Sequence, residues 1–176
     1  MRRMPMMVAT TAAMVALVAC SSDSSESVEE PGDGPQAAAV ERLEGADLES
    51  WGCGIGFAIG TPDQTVGLVA TDLTMSGAAG EPVVLPHEDW QVEVSIGTDL
   101  FANWCDDVIE EDEPVPAVTS THKVLSGTLT YGFDGPPGDC GPASGTLTDL
   151  VVAVDGGTVE IDHIDLTNEA FGCFAG

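Results

Sequence analysis

Apolar and polar residues alternate in short runs along most of this chain. Trp90, Val92, Val94 and Ile96 interleave with Gln91, Glu93 and Ser95, the period of two expected of a half-buried strand. Leu125, Gly127, Leu129, Tyr131 and Phe133 are predicted to share one face, with Ser126, Thr128 and Thr130 on the other. Val66, Leu68 and Ala70 make a third run, and Gly52 to Gly60 a fourth. Between them stand turn-forming clusters: Thr61-Pro62-Asp63, Gly135-Pro136-Pro137-Gly138-Asp139 and Asp155-Gly156-Gly157. Gly, Pro and Asp interrupt a ladder because they favour turn conformations or lack a donor. About eight or nine strands are predicted, giving an all-β domain over residues 50–176. The expected architecture is a two-sheet antiparallel sandwich, immunoglobulin-like or related, with a β-barrel as the alternative.

Three local patterns sharpen this expectation. Ser126-Gly127-Thr128-Leu129-Thr130 recurs as Ser144-Gly145-Thr146-Leu147-Thr148, which predicts neighbouring antiparallel strands with their threonines paired across the ladder. In the Gly52–Gly60 run, Cys53, Ile55, Phe57 and Ile59 fall on one face, while Gly52, Gly54, Gly56, Ala58 and Gly60 fall on the other. A glycine face admits close approach, either by a ligand or by a large side chain such as Trp51 or Trp104. Between Ile161 and Ile164 the apolar phase slips, which predicts a β-bulge near Asp162 and His163.

The first 49 residues follow different rules. Arg2 and Arg3 precede an uncharged run from Met4 to Ala19, which ends Leu17-Val18-Ala19-Cys20. Such a run falls short of the roughly 20 residues needed to span a bilayer and fits a cleaved export signal. The Leu-Val-Ala-Cys tetrad resembles the lipobox of bacterial lipoproteins. That resemblance covers residues 1–22 only. It implies removal of residues 1–19, acylation of Cys20 and attachment to a membrane outside the cytoplasm. Two or more acyl chains give durable anchoring, since each buried methylene contributes about 0.8 kcal/mol. Residues 20–49 then read as an acidic flexible tether, rich in Ser, Glu, Gly and Pro, with a brief helix expected between Ala37 and Leu48.

Charge narrows the partners. The whole chain carries 4 Lys and Arg against 30 Asp and Glu, and the signal accounts for half of the bases. Arg42 and Lys123 alone remain, so nucleic acid phosphates are repelled and no nucleic acid partner is expected. An envelope protein or glycan is the expected partner, beside the membrane itself.

The five cysteines divide into Cys20, assigned to lipid, and Cys53, Cys105, Cys140 and Cys173. An even set in an exported chain reads as two disulfides with three connectivities open. The matched faces of Cys53 and Phe171-Gly172-Cys173 favour Cys53–Cys173 with Cys105–Cys140. No Cys-x-x-Cys pair is present, which argues against a redox motif or structural zinc.

Candidate chemistry is sparse. Asp106, Asp107, Glu110, Glu111, Asp112 and Glu113 crowd one loop. Calcium takes six to eight oxygen ligands, so this loop is the candidate for weak Ca²⁺ binding, the other reading being a solvated acidic surface. No other cofactor is expected. His87, His122 and His163 would need to converge to hold a transition metal. No nucleophile elbow, zincin helix or phosphate loop occurs, which leaves a hydrolase as the least supported reading. The favoured function is a non-catalytic binding or structural module of the cell envelope.

Overall fold

The computed structural model describes residues 34–45, 47–74, 80–106, 111–135 and 140–173. Eight strands occur among them: β1 (Glu49–Trp51), β2 (Gly56–Gly60), β3 (Val66–Asp72), β4 (Val83–Leu85), β5 (Trp90–Thr98), β6 (Ala117–Phe133), β7 (Gly141–Val154) and β8 (Gly157–Phe171). They are preceded by a short helix, α1 (Pro35–Val40), and a 3₁₀ turn, Glu41–Glu44. The protein is mostly β and antiparallel, as the alternation predicts.

All eight strands join through one ladder, in the order β1-β2-β3-β5-β6-β7-β8 with β4 paired to β6. The sandwich of two separate sheets gives way to a single sheet curled into a half-barrel. Its hinge is the length of β6. The first half of β6, up to Lys123, pairs with β5, and the second half, from Val124, pairs with β7. The register shifts twice between Val124 and Thr128, and such irregularities bend a strand. Leu125 is thereby turned outward, 48% exposed, instead of sharing the inner face with Leu129 and Tyr131.

The same bend continues into the next two strands. Leu147 faces Ile164 and Leu150 faces Ile161, and all four are buried. Between them, Thr148 and Asp149 stand opposite His163 and Asp162, with Asp149 at φ +52°. The predicted bulge at Asp162-His163 is therefore a matched kink. The phase slips on both strands at once, so the register is kept. The sequence echo pairs as anticipated, Thr128 with Thr148, Leu129 with Leu147 and Thr130 with Thr146.

Four rings fill the middle of the core. Tyr131 lies 5.1 Å from Trp90 and 6.3 Å from Phe57, and Phe57 lies 5.4 Å from Phe171. Trp90, Val92 and Val94 point inward along β5, as do Val66, Leu68 and Ala70 along β3. Each such side chain contributes about 1.5–3 kcal/mol when fully buried.

The edges of the half-barrel meet at a seam between β8 and the β1–β2 segment. At one end it is clasped: Gly54 bridges Phe171 in parallel, Gly54 N–H donates to the Cys173 carbonyl at 2.6 Å, and Gly172 N–H donates to Gly54 at 2.8 Å. At the other end α1 and the 3₁₀ turn close the opening, burying Ala37, Val40 and Leu43 in the core. Pro35 at the first helical position suits a helix start, where no N–H is needed. Residues 35–45 and 47–49, expected to be tether, thus belong to the folded body. The expected short helix is present, but it is shifted to Pro35–Val40 and tied down by its apolar face. The acidic composition that marked this stretch as tether is confined here to its solvent side.

Candidate functional site

Outside the half-barrel a second, smaller apolar cluster covers β2 and β3. Phe101 lies over Gly60 and Gly67, where an added Cβ on either glycine would come within 2.6 Å of the ring. Trp51 stacks on Phe101 at 4.1 Å, and Trp104 meets Phe101 edge-on at 5.5 Å. The glycine face is thus covered in the main by side chains: Trp51 and Trp104, as weighed from the sequence, with Phe101 between them. Phe101 was not singled out by sequence, because nothing in its local pattern says which way its loop folds.

The loop at 99–106 is a series of tight turns. Ala102, Trp104 and Asp106 donate backbone N–H groups to Asp99, Phe101 and Asn103. Asp99 and Asn103 take φ +50° and +57°, values that Asp and Asn tolerate better than most residues. The loop is held at three further points. Gln64 Oε1 accepts from Phe101 N–H at 3.3 Å, Asn103 Nδ2 donates to the Pro114 carbonyl at 3.0 Å, and Cys105 is bonded to Cys53.

That disulfide corrects the expected pairing. Cys53 joins Cys105, with 5.8 Å between Cα atoms, and Cys140 joins Cys173, with 4.9 Å. The Cys53–Cys173 and Cys105–Cys140 assignment assumed unbroken alternation from Cys53 to Ile59. Gly54, at φ +76°, interrupts it, so Cys53 does not follow Phe57 into the core. The segments that were expected to be joined are neighbours nonetheless, since Gly54 hydrogen-bonds both Gly172 and Cys173.

Coverage of the glycine face stops short of its end. Beside Trp104 lies a niche of about 210 Å³, lined by Gly54, Ile55, Gly56, Ala58, Val69, Thr71, Trp104 and neighbouring atoms of Cys53 and Phe57. The ladder places Gly56 beside Thr71, and a Cβ on Gly56 would clash with the Ala70 carbonyl oxygen, so the glycine lets β2 and β3 pack closely beneath the Thr71 hydroxyl. Trp104 is 38% exposed, whereas Trp90 is buried in the core. The niche offers an aromatic wall, an apolar floor and a polar margin, without a basic group.

Two further concavities among the described residues carry hydroxyl and carboxylate side chains. A shallow trough on the outer face of β6, β7 and β8 is lined by Thr130, Gly132, Ser144, Thr146, Asp165 and Thr167 among others. A pocket of about 350 Å³ lies at the seam between the 3₁₀ turn, β1 and β8 and holds Glu44, Ser50, His163 and Asp165. His163 Nε2 sits 3.0 Å from Asp165 Oδ1, and Ser50 shares its hydroxyl hydrogen bond with Thr167 at 2.7 Å. The serine is engaged elsewhere, so the trio does not form the relay that nucleophilic catalysis requires.

The remaining sequence candidates disperse. Asp106, Glu111 and Asp112 are exposed, and Asp107 and Glu110 lie outside the described residues, as does Cys20. Among the described residues no three His, Cys, Asp or Glu side chains gather to hold a metal ion. His122 is buried between Ser120 Oγ at 2.9 Å and the Ala153 carbonyl at 3.1 Å, which accepts from Nδ1. His87 Nδ1 accepts from Asp89 N–H at 3.2 Å. The three histidines keep separate local partners.

No family model, curated protein or solved structure matches this chain.

Proposed function

We propose that this protein is a lipid-anchored, exported binding module of the cell envelope, without catalytic activity, that presents the Trp104 niche to a partner. The carrying observation is the half-exposed indole beside a glycine floor, on a loop pinned by Cys53–Cys105. A rigid, partly exposed aromatic ring is a common recognition anchor, because it gains large contact area at low conformational cost.

The placement of the niche supports presentation away from a membrane. The chain enters the folded body at Gly34, and Gln36 Oε1 accepts from Asp155 N–H at 3.2 Å, next to the start of β8. The far end of β8 bridges Gly54 of the niche. Fifteen residues of strand separate the two by up to roughly 45 Å at about 3.3 Å per residue. Two disulfides fit an oxidising compartment, and the lipobox at Cys20 fits a membrane-held one. In this reading the two halves of the bent sheet face each other across the core as a sandwich would, a stiff mount for the outer loop.

The test is cellular fractionation with a binding readout. Wild-type protein is expected in the membrane fraction and the Cys20→Ser variant in the soluble exported fraction. A Cys20→Ser variant that stays on membranes would overturn the anchor. Envelope extracts that protect the Trp104 indole from oxidation would support the niche as the contact surface, and equal oxidation with and without extract would count against it.

A further inference from the structure

The niche has a chemistry narrow enough to name its occupant, an inference that rests on the binding-module reading. We infer that it receives one uncharged sugar ring of an extracellular glycan, stacked on Trp104. A pyranose ring has an apolar face of C–H groups and a rim of hydroxyls. The indole of Trp104 and the floor of Gly56, Ala58 and Val69 match the first. The Thr71 hydroxyl, which lines one margin, matches the second as both donor and acceptor.

Size and charge exclude the competing occupants. At about 210 Å³ the niche holds roughly seven waters at about 30 Å³ each, the scale of a single substituted ring and too small to enclose an acyl chain. No Lys or Arg lines it, and Asp106 is exposed two residues from Trp104. The chain as a whole has a formal charge of −26. A phosphorylated or carboxylated sugar would therefore be repelled. An aromatic side chain of a partner protein would stack equally well on the indole. A phenylalanine would bring no polar group to the Thr71 hydroxyl, which would lose hydration without compensation, and a tyrosine or tryptophan brings one polar atom where a sugar rim brings several.

The experiment uses the full chain carrying Cys20→Ser, titrated by calorimetry with neutral hexasaccharides of glucose, mannose, galactose and N-acetylglucosamine. Saturable binding of at least one is expected. Trp104→Ala should weaken it about tenfold or more, the scale of one lost stacking contact with its buried area. Trp104→Phe should recover part of the loss, Thr71→Val should weaken binding less, and Thr146→Val in the trough should leave it unchanged. Circular dichroism of each variant confirms that the fold persists. Failure of all four sugars, or equal binding by Trp104→Ala, overturns the inference. If instead a tyrosine-containing peptide binds and Trp104→Ala abolishes that, the binding module survives and the saccharide assignment falls.

Discussion

Asn168 reaches across the seam of the half-barrel and donates its Nδ2 to the Gly56 carbonyl at 2.6 Å. Its Oδ1 accepts from Ala170 N–H at 2.8 Å, so one buried side chain supplies both a donor and an acceptor where the β ladder is interrupted. Gly52 makes room for it, since a Cβ there would fall 2.6 Å from Asn168 Oδ1. The clasp sits between the core and the Trp104 niche and sets how closely β2 approaches β8.

Replacing Asn168 by alanine should leave the half-buried Gly56 carbonyl and Ala170 N–H without this partner. A loss of about 1–3 kcal/mol is expected, read as a lower midpoint in urea unfolding with unchanged slope. Asn168→Asp should also destabilise, because a carboxylate cannot donate to Gly56. A variant with wild-type midpoint would show that the seam does not depend on this side chain.

The 3₁₀ turn is fixed to the β2–β3 turn by Arg42, which donates to Asp63 Oδ2 and Thr65 Oγ1, both at 2.8 Å. The Thr61 hydroxyl first, then Arg42 and Thr65, hold the Asp63 carboxyl well below the usual carboxylate range. A depressed folded-state value means that the ionised form stabilises the fold. This contribution is complete above the unfolded value of about 3.9 and is lost as pH falls toward the folded one. Both groups are about half exposed, at 44% and 52%, so the ion pair itself contributes at most about 1 kcal/mol. Asp63→Asn should therefore lower stability by a constant amount at neutral pH, and the gap to wild type should narrow in acid. Urea midpoints measured between pH 7 and pH 2.5 test this, and a gap that widens in acid would contradict it.

Peptide mapping without reduction should recover Cys53 linked to Cys105 and Cys140 linked to Cys173. The two crosslinks span 52 and 33 residues, and chain entropy gives about 4 kcal/mol for each. Their functional consequences should differ. Cys53→Ser with Cys105→Ser releases the loop that carries Trp104 and should weaken ligand binding more than the paired replacement of Cys140 and Cys173. Equal effects on binding would detach the first disulfide from the site.

Periodicity carried much of the fold to the surface of the sequence. The strands at 66–72 and 90–98 and the paired echo at 128–130 and 146–148 follow from alternation and repetition, because both are local properties of neighbouring residues. Leu125 shows where that reading ends. Its position in the alternation is correct for the inner face, but the register shifts in β6 rotate it out. The partner strands impose those shifts, and they leave no mark within one strand's own sequence. Cys53 is a second instance, since a single glycine at φ +76° reverses the inference about which cysteine it meets.

The candidate site was legible only in fragments. The glycine face and the two tryptophans were visible, as was the choice between a covered face and an open one. That both hold, with Phe101 over Gly60 and Gly67 and an open niche beside Gly56, depends on how the 99–106 loop folds back. Asp106, Asp107, Glu110, Glu111, Asp112 and Glu113 drew attention by density alone, yet Asp106, Glu111 and Asp112 are exposed, and no three acidic, His or Cys side chains among the described residues gather to hold a metal ion.

By itself the amino-acid sequence determined the strand content, the acidic character and the set of cysteines available for pairing, since each is written in the residues themselves or in their near neighbours along the chain. The tertiary structure alone decided the bend along β6, the plug formed by Ala37, Val40 and Leu43, the cysteine pairing and the niche at Trp104. These arise from contacts between segments far apart in the chain, where steric fit and hydrogen-bond satisfaction select one arrangement from many that the same local patterns allow.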